Sequence, residues 1–415
     1  MQVDGQRLRR DIENTATFGA VPVEEGRART VLTGTEADRE AREYLCGRLR
    51  DAGLEVRIDA VGNVRGRWTP AGAAPDAPPV AAGSHLDSVP EGGIFDGPLG
   101  VYAALEAVRA LQDADVGDEL SRPVDVISFT EEEGQRFDGG LIGSGVAAGD
   151  MSLETALAIE DDDGIPLGDA LSDVGFRGDG RLDAAGWHAW LELHVEQAER
   201  LEDAGVPAGV VTTITGLTRC AVTFRGEADH AGTTPMDDRA DALAAAGEFV
   251  LAVESAAAAV DSETAVGTVG RAHVSPNAPN VIPGRVDVTL DVRDVDAGAV
   301  EAVIDRSRTA LDRIESERPV RTTFERPWSR DPVPMSDRVR DALHAAGEAA
   351  DVGTIDLHSG AAHDTMRVAA ATDAALLFAP SRNGVSHSPR EWTDWTDCAD
   401  ATRVLAGAIR RLAGE

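Results

Sequence analysis

Five short stretches place imidazole and carboxylate side chains where they could hold metal ions. In Gly83-Ser84-His85-Leu86-Asp87 a histidine is followed two residues on by an aspartate, so the ring could ligate while the carboxylate orients it. In Gly92-Gly93-Ile94-Phe95-Asp96-Gly97, Asp96 sits between glycines, where the backbone can bend closely. The others are Glu131-Glu132-Glu133-Gly134, Glu192-Leu193-His194-Val195-Glu196-Gln197 and Gly384-Val385-Ser386-His387. Singly, each has an ordinary explanation: a lone histidine is more often structural than a ligand, and a glutamate triplet is usually a solvated face. As a set, in a chain with nine histidines, they fit a hard-to-borderline metal site with nitrogen and oxygen ligands. Cys46, Cys220 and Cys398 are far apart and odd in number, which argues against a disulfide framework or a thiolate cluster. No motif sets a base beside a nucleophilic serine or cysteine.

The elements that must position these residues alternate between strand and helix. Residues 36–52 read as an amphipathic helix stopped by Gly53, 54–60 as an alternating strand, and Gly62-Asn63 as a turn. Residues 69–79 form a Pro/Ala/Gly-rich loop, 79–83 a short buried strand running into His85, 99–111 an apolar helix, and 124–130 a strand ending in the glutamate run. This pattern predicts an α/β domain with its site at one edge of the sheet. From about residue 211 the pattern changes. Strands at 219–225, 264–270, 285–293 and 320–324 and helices at 238–259 and 297–316 follow the order β-α-β-β-α-β, the ferredoxin-like arrangement. The α/β pattern resumes with a helix at 336–350, a strand at 373–379 and a helix at 397–413. The expected division is therefore 1–211 with 326–415, and an inserted domain at 212–325.

The chain has 415 residues, 42% hydrophobic and 27% charged, a globular composition long enough for two domains. It contains no apolar run of transmembrane length, and its first residues lack a secretory signal, so the expected location is the cytoplasm. Asp and Glu number 73 against 39 basic residues, all of them Arg, for a net charge of -34. Such charge argues against nucleic acid or anionic membranes as partners. It also implies self-repulsion at low salt, and hence a protein suited to a high-salt, halophilic cytoplasm.

The motifs GSHLDSVPEGGIFDG (83–97), FTEEEGQRF (129–137), LELHVEQ (191–197), GEADHAGTTPM (226–236), PNVIPG (279–284), LDVR (290–293) and GVSHSPRE (384–391) together resemble the hydantoinase/carbamoylase branch of the metal-dependent aminoacylase and carboxypeptidase superfamily. The resemblance runs from about Thr35 to Trp392. It implies a mixed-sheet α/β catalytic domain for two divalent metal ions (zinc, manganese, cobalt or nickel), with the inserted domain as lid and homodimer interface. It further implies that His85 and His194 hold one metal, Glu133 and His387 the other, and that Asp96 bridges them. Glu132 would be the general base and His230 the oxyanion donor. Arg293 would grip a substrate carboxylate, Asn280 and Gln197 would complete the substrate contacts, and Gly360 would line the pocket. His363 and Asp364 read as the start of a helix rather than as catalytic groups.

The expected reaction is hydrolysis of the C–N bond of a carbamoyl or ureido group on a small carboxylate substrate of the N-carbamoyl amino acid type. A metal-activated hydroxide would attack, with Glu132 moving the proton. Allantoate hydrolysis, or an aminoacylase or dipeptidase activity of the same superfamily, is the alternative. A non-catalytic scaffold would be marked by loss of the base or a ligand, and none is lost.

Overall fold

A computed structural model describes residues 2–415. The chain divides into two compact units, one formed by residues up to Thr212 with Met335–Glu415, the other by Thr213–Pro334. The second unit extends past residue 325 because its last strand, Arg321–Arg330, continues beyond the five residues expected at 320–324.

The first unit is built on a large mixed sheet. Its centre is four parallel strands, side by side in the order Val124–Phe129, Val80–His85, Ala189–Val195 and Ala374–Ala379. Every residue of these four strands is buried. A strand covered on both faces reads as a run of small and apolar residues, as VAAG and AALLFA do. Val64–Trp68 lies antiparallel beside Val124–Phe129, and Glu55–Ile58 beyond it. On the other flank Ala208–Ile214 runs antiparallel to Ala374–Ala379 and pairs with Thr354–Ser359.

Two helices show how the sequence sets these elements. Glu36–Asp51 is capped by Thr35, carries Glu36 and Asp38 in its first turn and Arg48 and Arg50 in its last, and so opposes the helix dipole at both ends. Pro98–Asp113 starts on a proline immediately after Gly97 and is buried over nearly its whole length.

The second unit holds a four-stranded antiparallel sheet in the order Val266–Ser275, Arg285–Asp294, Gly216–Arg225, Arg321–Arg330. Helices Ala242–Ala258 and Ala297–Glu317 join its strands in the sequence β-α-β-β-α-β. Val286, Val288, Leu290 and Val292 alternate inward along one strand and pack with Phe224, Phe249, Val303 and Ile304. All three cysteines are free and buried. Among the described residues no helix is long and apolar enough to cross a membrane.

Candidate metal centre

Four parallel strands end at one edge of the first sheet, and the candidate ligands are carried there. His85 is the last residue of its strand, and His194 lies one residue before the end of Ala189–Val195. Glu132 and Glu133 follow Phe129, and His387 follows the strand that ends at Ala379. Asp96 comes from the loop before helix Pro98–Asp113.

The Asp96 carboxylate lies between two groups of ligand atoms. Its Oδ1 is 3.5 Å from His85 Nε2 and 3.2 Å from His194 Nε2. Its Oδ2 is 3.5 Å from His387 Nε2, which is in turn 3.4 Å from Glu133 Oε2. Each group, His85/Asp96/His194 and Asp96/Glu133/His387, places its ligand atoms within 4.8 Å of one another. Glu132 Oε2 stands 3.9 Å from His85 Nε2.

The donor chemistry fits cations. His85 Nδ1 is 3.1 Å from the Asp87 carbonyl and His194 Nδ1 is 3.1 Å from the Val195 carbonyl. A carbonyl only accepts, so each Nδ1 carries the hydrogen and each Nε2 turns a lone pair toward Asp96. Buried lone pairs facing a carboxylate need a positive charge between them. His85 Nε2 and Glu133 Oε1 are buried without a hydrogen-bond partner, as atoms awaiting a ligand would be. His194 is desolvated, but the closer Asp96 carboxylate outweighs this and lifts its pKa to about 10. Burial lowers that of His85 to about 4, and the neighbouring His194 charge adds to the drop.

The carboxylates around them are crowded. Burial, with Asp96 and Asp87 nearby, pushes Glu133 up to about 9. Burial and the charges of Glu133, Asp364, Asp87 and Asp96 hold Glu132 well above the ordinary range. Two divalent cations would offset much of this repulsion.

Supporting groups fix the ligands. Asp87 accepts from the Glu133 amide at 3.1 Å, and its other oxygen lies 3.7 Å from His85 Nδ1. Glu391 Oε1 accepts from the amides of Phe95 and Asp96 at 2.9 and 3.0 Å. The Ser386 hydroxyl lies 2.7 Å from Asp96 Oδ2 and 3.0 Å from Glu391 Oε2. Gly93 is required for this arrangement, because a Cβ there would stand 2.3 Å from Glu391 Oε1. At Gly97, φ is +81° and a Cβ would fall 2.6 Å from the His85 ring. Glu192 accepts from Ser84 Oγ (2.7 Å) and from Thr365 N and Oγ1 (3.0 and 2.7 Å), tying the His85 and His194 strands to the 364–368 helix. Arg29 is fully buried, donates to the Leu86 carbonyl, and adds positive charge beside Asp96 and Asp87.

Several of these supports were not evident from sequence. Glu391 lies within a quoted motif, four residues after His387, yet only the fold shows what it holds. Arg29 and Glu192 carry no local signal of such a role. His363 occupies the N-cap position of the 364–368 helix, though its side chain makes no capping hydrogen bond. It is also buried with its ring 4.5 Å from that of His194, its Nε2 has no partner, and burial drives its pKa well down. Glu131 turns away from the centre, accepting from the amides of Arg136 and Phe137.

The remaining candidates divide between the units. Gln197 Nε2 donates to Ser386 Oγ at 3.4 Å, beside the ligand cluster. Gly360 is exposed, and a Cβ there would meet open space. His230, Asn280 and Arg293 belong to the second unit. His230 pairs with Val281, and the Ala231 amide donates to the Asn280 carbonyl, so the first two are neighbours. His230 Nδ1 accepts from the amides of Gly232 and Thr233, which leaves Nε2 to carry the hydrogen as a donor. Arg293 donates to Asp291 at 2.9 Å and is about one-third exposed.

The family model described as peptidase family M20/M25/M40 matches residues 81–411. The chain is 40% identical over 416 residues to an N-carbamoyl-L-amino acid amidohydrolase of Geobacillus stearothermophilus, covering 99% of each. It is 36% identical over 379 residues to an allantoate deiminase of Arabidopsis thaliana, covering 83% of this chain and 71% of that one. A hydantoinase/carbamoylase-family amidase from Burkholderia multivorans superposes with a TM-score of 0.93 at 35% identity, covering 100% of this chain and 99% of that one.

Proposed function

Because the chain belongs to the M20/M25/M40 peptidase family, in its hydantoinase/carbamoylase branch, and is a hydrolase of carbon–nitrogen bonds other than peptide bonds, we propose that it cleaves the carbamoyl group from an N-carbamoyl amino acid with two divalent cations. The observation that carries this reading is the Asp96 carboxylate, with one oxygen toward His85 and His194 and the other toward His387, next to Glu133. His85, Asp96 and His194 would hold one cation, and Asp96, Glu133 and His387 the other. When bound, such a pair supplies Lewis acidity that makes water acidic enough to attack near neutral pH.

The chain's own groups do the rest. Glu132, held beside His85 in a desolvated and negatively charged setting, is a carboxylate with raised proton affinity. Such a group takes the proton of the attacking water on its carboxylate oxygen and returns it to the leaving nitrogen. His230 Nε2–H is the hydrogen-bond donor to the carbonyl oxygen as negative charge develops there. The Arg293 fork suits a bidentate grip on the substrate carboxylate, and Asn280 and Gln197 supply further polar contacts. Gly360 lines the pocket for the amino-acid side chain. The second unit serves as lid and as the homodimer surface. The products are the amino acid, carbon dioxide and ammonia.

The likeness to an allantoate deiminase favours a second reading, because allantoate also joins a ureido group to a carboxylate. Both readings are tested by incubating the metal-supplemented protein at high salt with N-carbamoyl-L-amino acids, N-carbamoyl-β-alanine and allantoate and measuring ammonia. Turnover of one substrate, absent in Glu132→Gln, establishes the reaction and its substrate class. Silence on all three, with cleavage of an N-acyl amino acid or a dipeptide, moves the protein to the aminoacylase or dipeptidase side of the superfamily.

A further inference from the structure

In a chain with 73 acidic and 39 basic residues, one surface cleft gathers four arginines. The cleft measures about 310 Å³ and is lined by Arg57, Arg65, Arg67 and Arg181, with Trp187 and a proline-rich loop at 75–79 as its walls. Arg57 on strand Glu55–Ile58 stands directly opposite Arg65 on strand Val64–Trp68. Arg67 is two residues further along the same face. Like charges directly opposite each other on a strand pair repel, and nothing in the sheet requires them.

The available carboxylates do not neutralise this pair. Arg67 is matched to the buried Asp125 by two hydrogen bonds of 2.7 Å. Arg181 reaches Asp183 at 3.2 Å across an exposed surface. Among the described residues Arg65 forms its one ion pair with the largely exposed Glu55 at 4.0 Å, its own side chain is 14% exposed, and the buried Asp125 that also attracts it is already bound by Arg67. The Arg65 Nε is buried without a hydrogen-bond partner. Burial depresses its pKa, and the charges of Arg67 and Arg57 add to the drop against the opposing pull of Asp125. Arg57 donates to the Asp179 carbonyl at 3.3 Å, and among the described residues it is paired with no carboxylate. Asp76 and Asp183 also line the cleft, and both are solvated.

We propose that this cleft binds a phosphate-type oxyanion between Arg57 and Arg65, with Arg181 on its loop side. Guanidinium forks present paired N–H donors that match the oxygens of such an ion, and a dianion balances two cations. The site lies on the strand pair at the sheet flank, built from residues that the proposed hydrolysis does not use.

The test is calorimetric titration of inorganic phosphate into the full-length, metal-loaded protein at constant ionic strength set by chloride. The expected result is one saturable binding event whose Kd rises about tenfold or more in Arg65→Gln and in Arg57→Gln. Arg57 is exposed, so Arg57→Gln keeps the fold even where the half-buried Arg65→Gln disturbs it. Repeating the titration with glycerol phosphate separates sources: a tighter inorganic ion marks free phosphate as the ligand, and a tighter ester marks a phosphorylated metabolite. Binding unchanged in both variants, or no saturable binding beyond the chloride control, overturns the proposal.

Discussion

Glu132 and Glu391 are both buried acids near Asp96, but they act on different things. Glu132, 3.9 Å from His85 Nε2, is the proposed base, so Glu132→Gln should lower kcat by about 100-fold or more while metal content stays at the wild-type level. Retained activity in a metal-replete variant would remove Glu132 as the base. Glu391 grips the backbone that carries Asp96, and Glu391→Ala leaves two buried amides without an acceptor. A loss of about 1–3 kcal/mol in stability is expected, together with a lower metal stoichiometry by elemental analysis. Unchanged metal content and stability would show that the loop holds itself. The five proposed ligands and Glu132 stand out in the sequence as candidates because each sits in a compact run with glycines, carboxylates or imidazoles, their roles are those that the resemblance implies, and the fold brings the ligand atoms together. The supports that Glu192, Glu391 and Arg29 give, and the contact of His363 with His194, carry no local signal, since the partners lie far away in the chain and only the fold brings them together.

The elements were legible where burial gives a strong pattern. The strands 80–85, 124–129 and 374–379 are short apolar runs, and 285–294 alternates cleanly. Val64–Trp68 carries no clear strand pattern, because its outer face carries Arg65 and Arg67 and its inner face includes a glycine. Thr354–Ser359 is equally silent in the sequence, since Asp356 and His358 interrupt any apolar pattern at the sheet's flank. Two glycines separate local fit from function at this level. Gly93→Ala forces Glu391 off its amides, so it should lower the melting temperature and weaken metal binding together. Gly360→Ala enters open space, so it should leave the melting temperature alone and change KM across a panel of substrate side chains. A destabilised Gly360→Ala, or an unaffected Gly93→Ala, would contradict these placements.

Over the whole molecule, protons and metal ions compete for the same charge. In the metal-free fold Glu133 titrates near 9 and His194 near 10, both above their ordinary values. Between about pH 7 and 9 the folded state therefore still holds protons that the unfolded chain has already released near the ordinary Glu and His values. Stability of the chelated protein should fall as pH rises through that window. Metal ions displace those protons, so the rise in melting temperature on adding metal should be larger at pH 9 than at pH 6.5. An equal rise at both values would mean that the ligands bind without releasing protons. The net charge of -34 sets a second dependence. Transfer from concentrated to dilute chloride should lower the melting temperature reversibly, and full stability in dilute buffer would exclude self-repulsion as a significant force.

One asymmetry of the centre bears on its handling in solution. His85 and His194 are almost wholly enclosed, whereas the His387 side chain is 50% exposed and its backbone holds a positive φ of 53°. An ion held, as proposed, by Asp96, Glu133 and His387 would thus be open to the solvent on one side, and one held by His85, Asp96 and His194 would be shut in. The two positions should empty in sequence, the outer within minutes of exposure to a chelator and the inner much more slowly. Brief chelation followed by a different divalent ion would then yield a mixed-metal protein, with each ion's place set by exchange kinetics rather than by affinity.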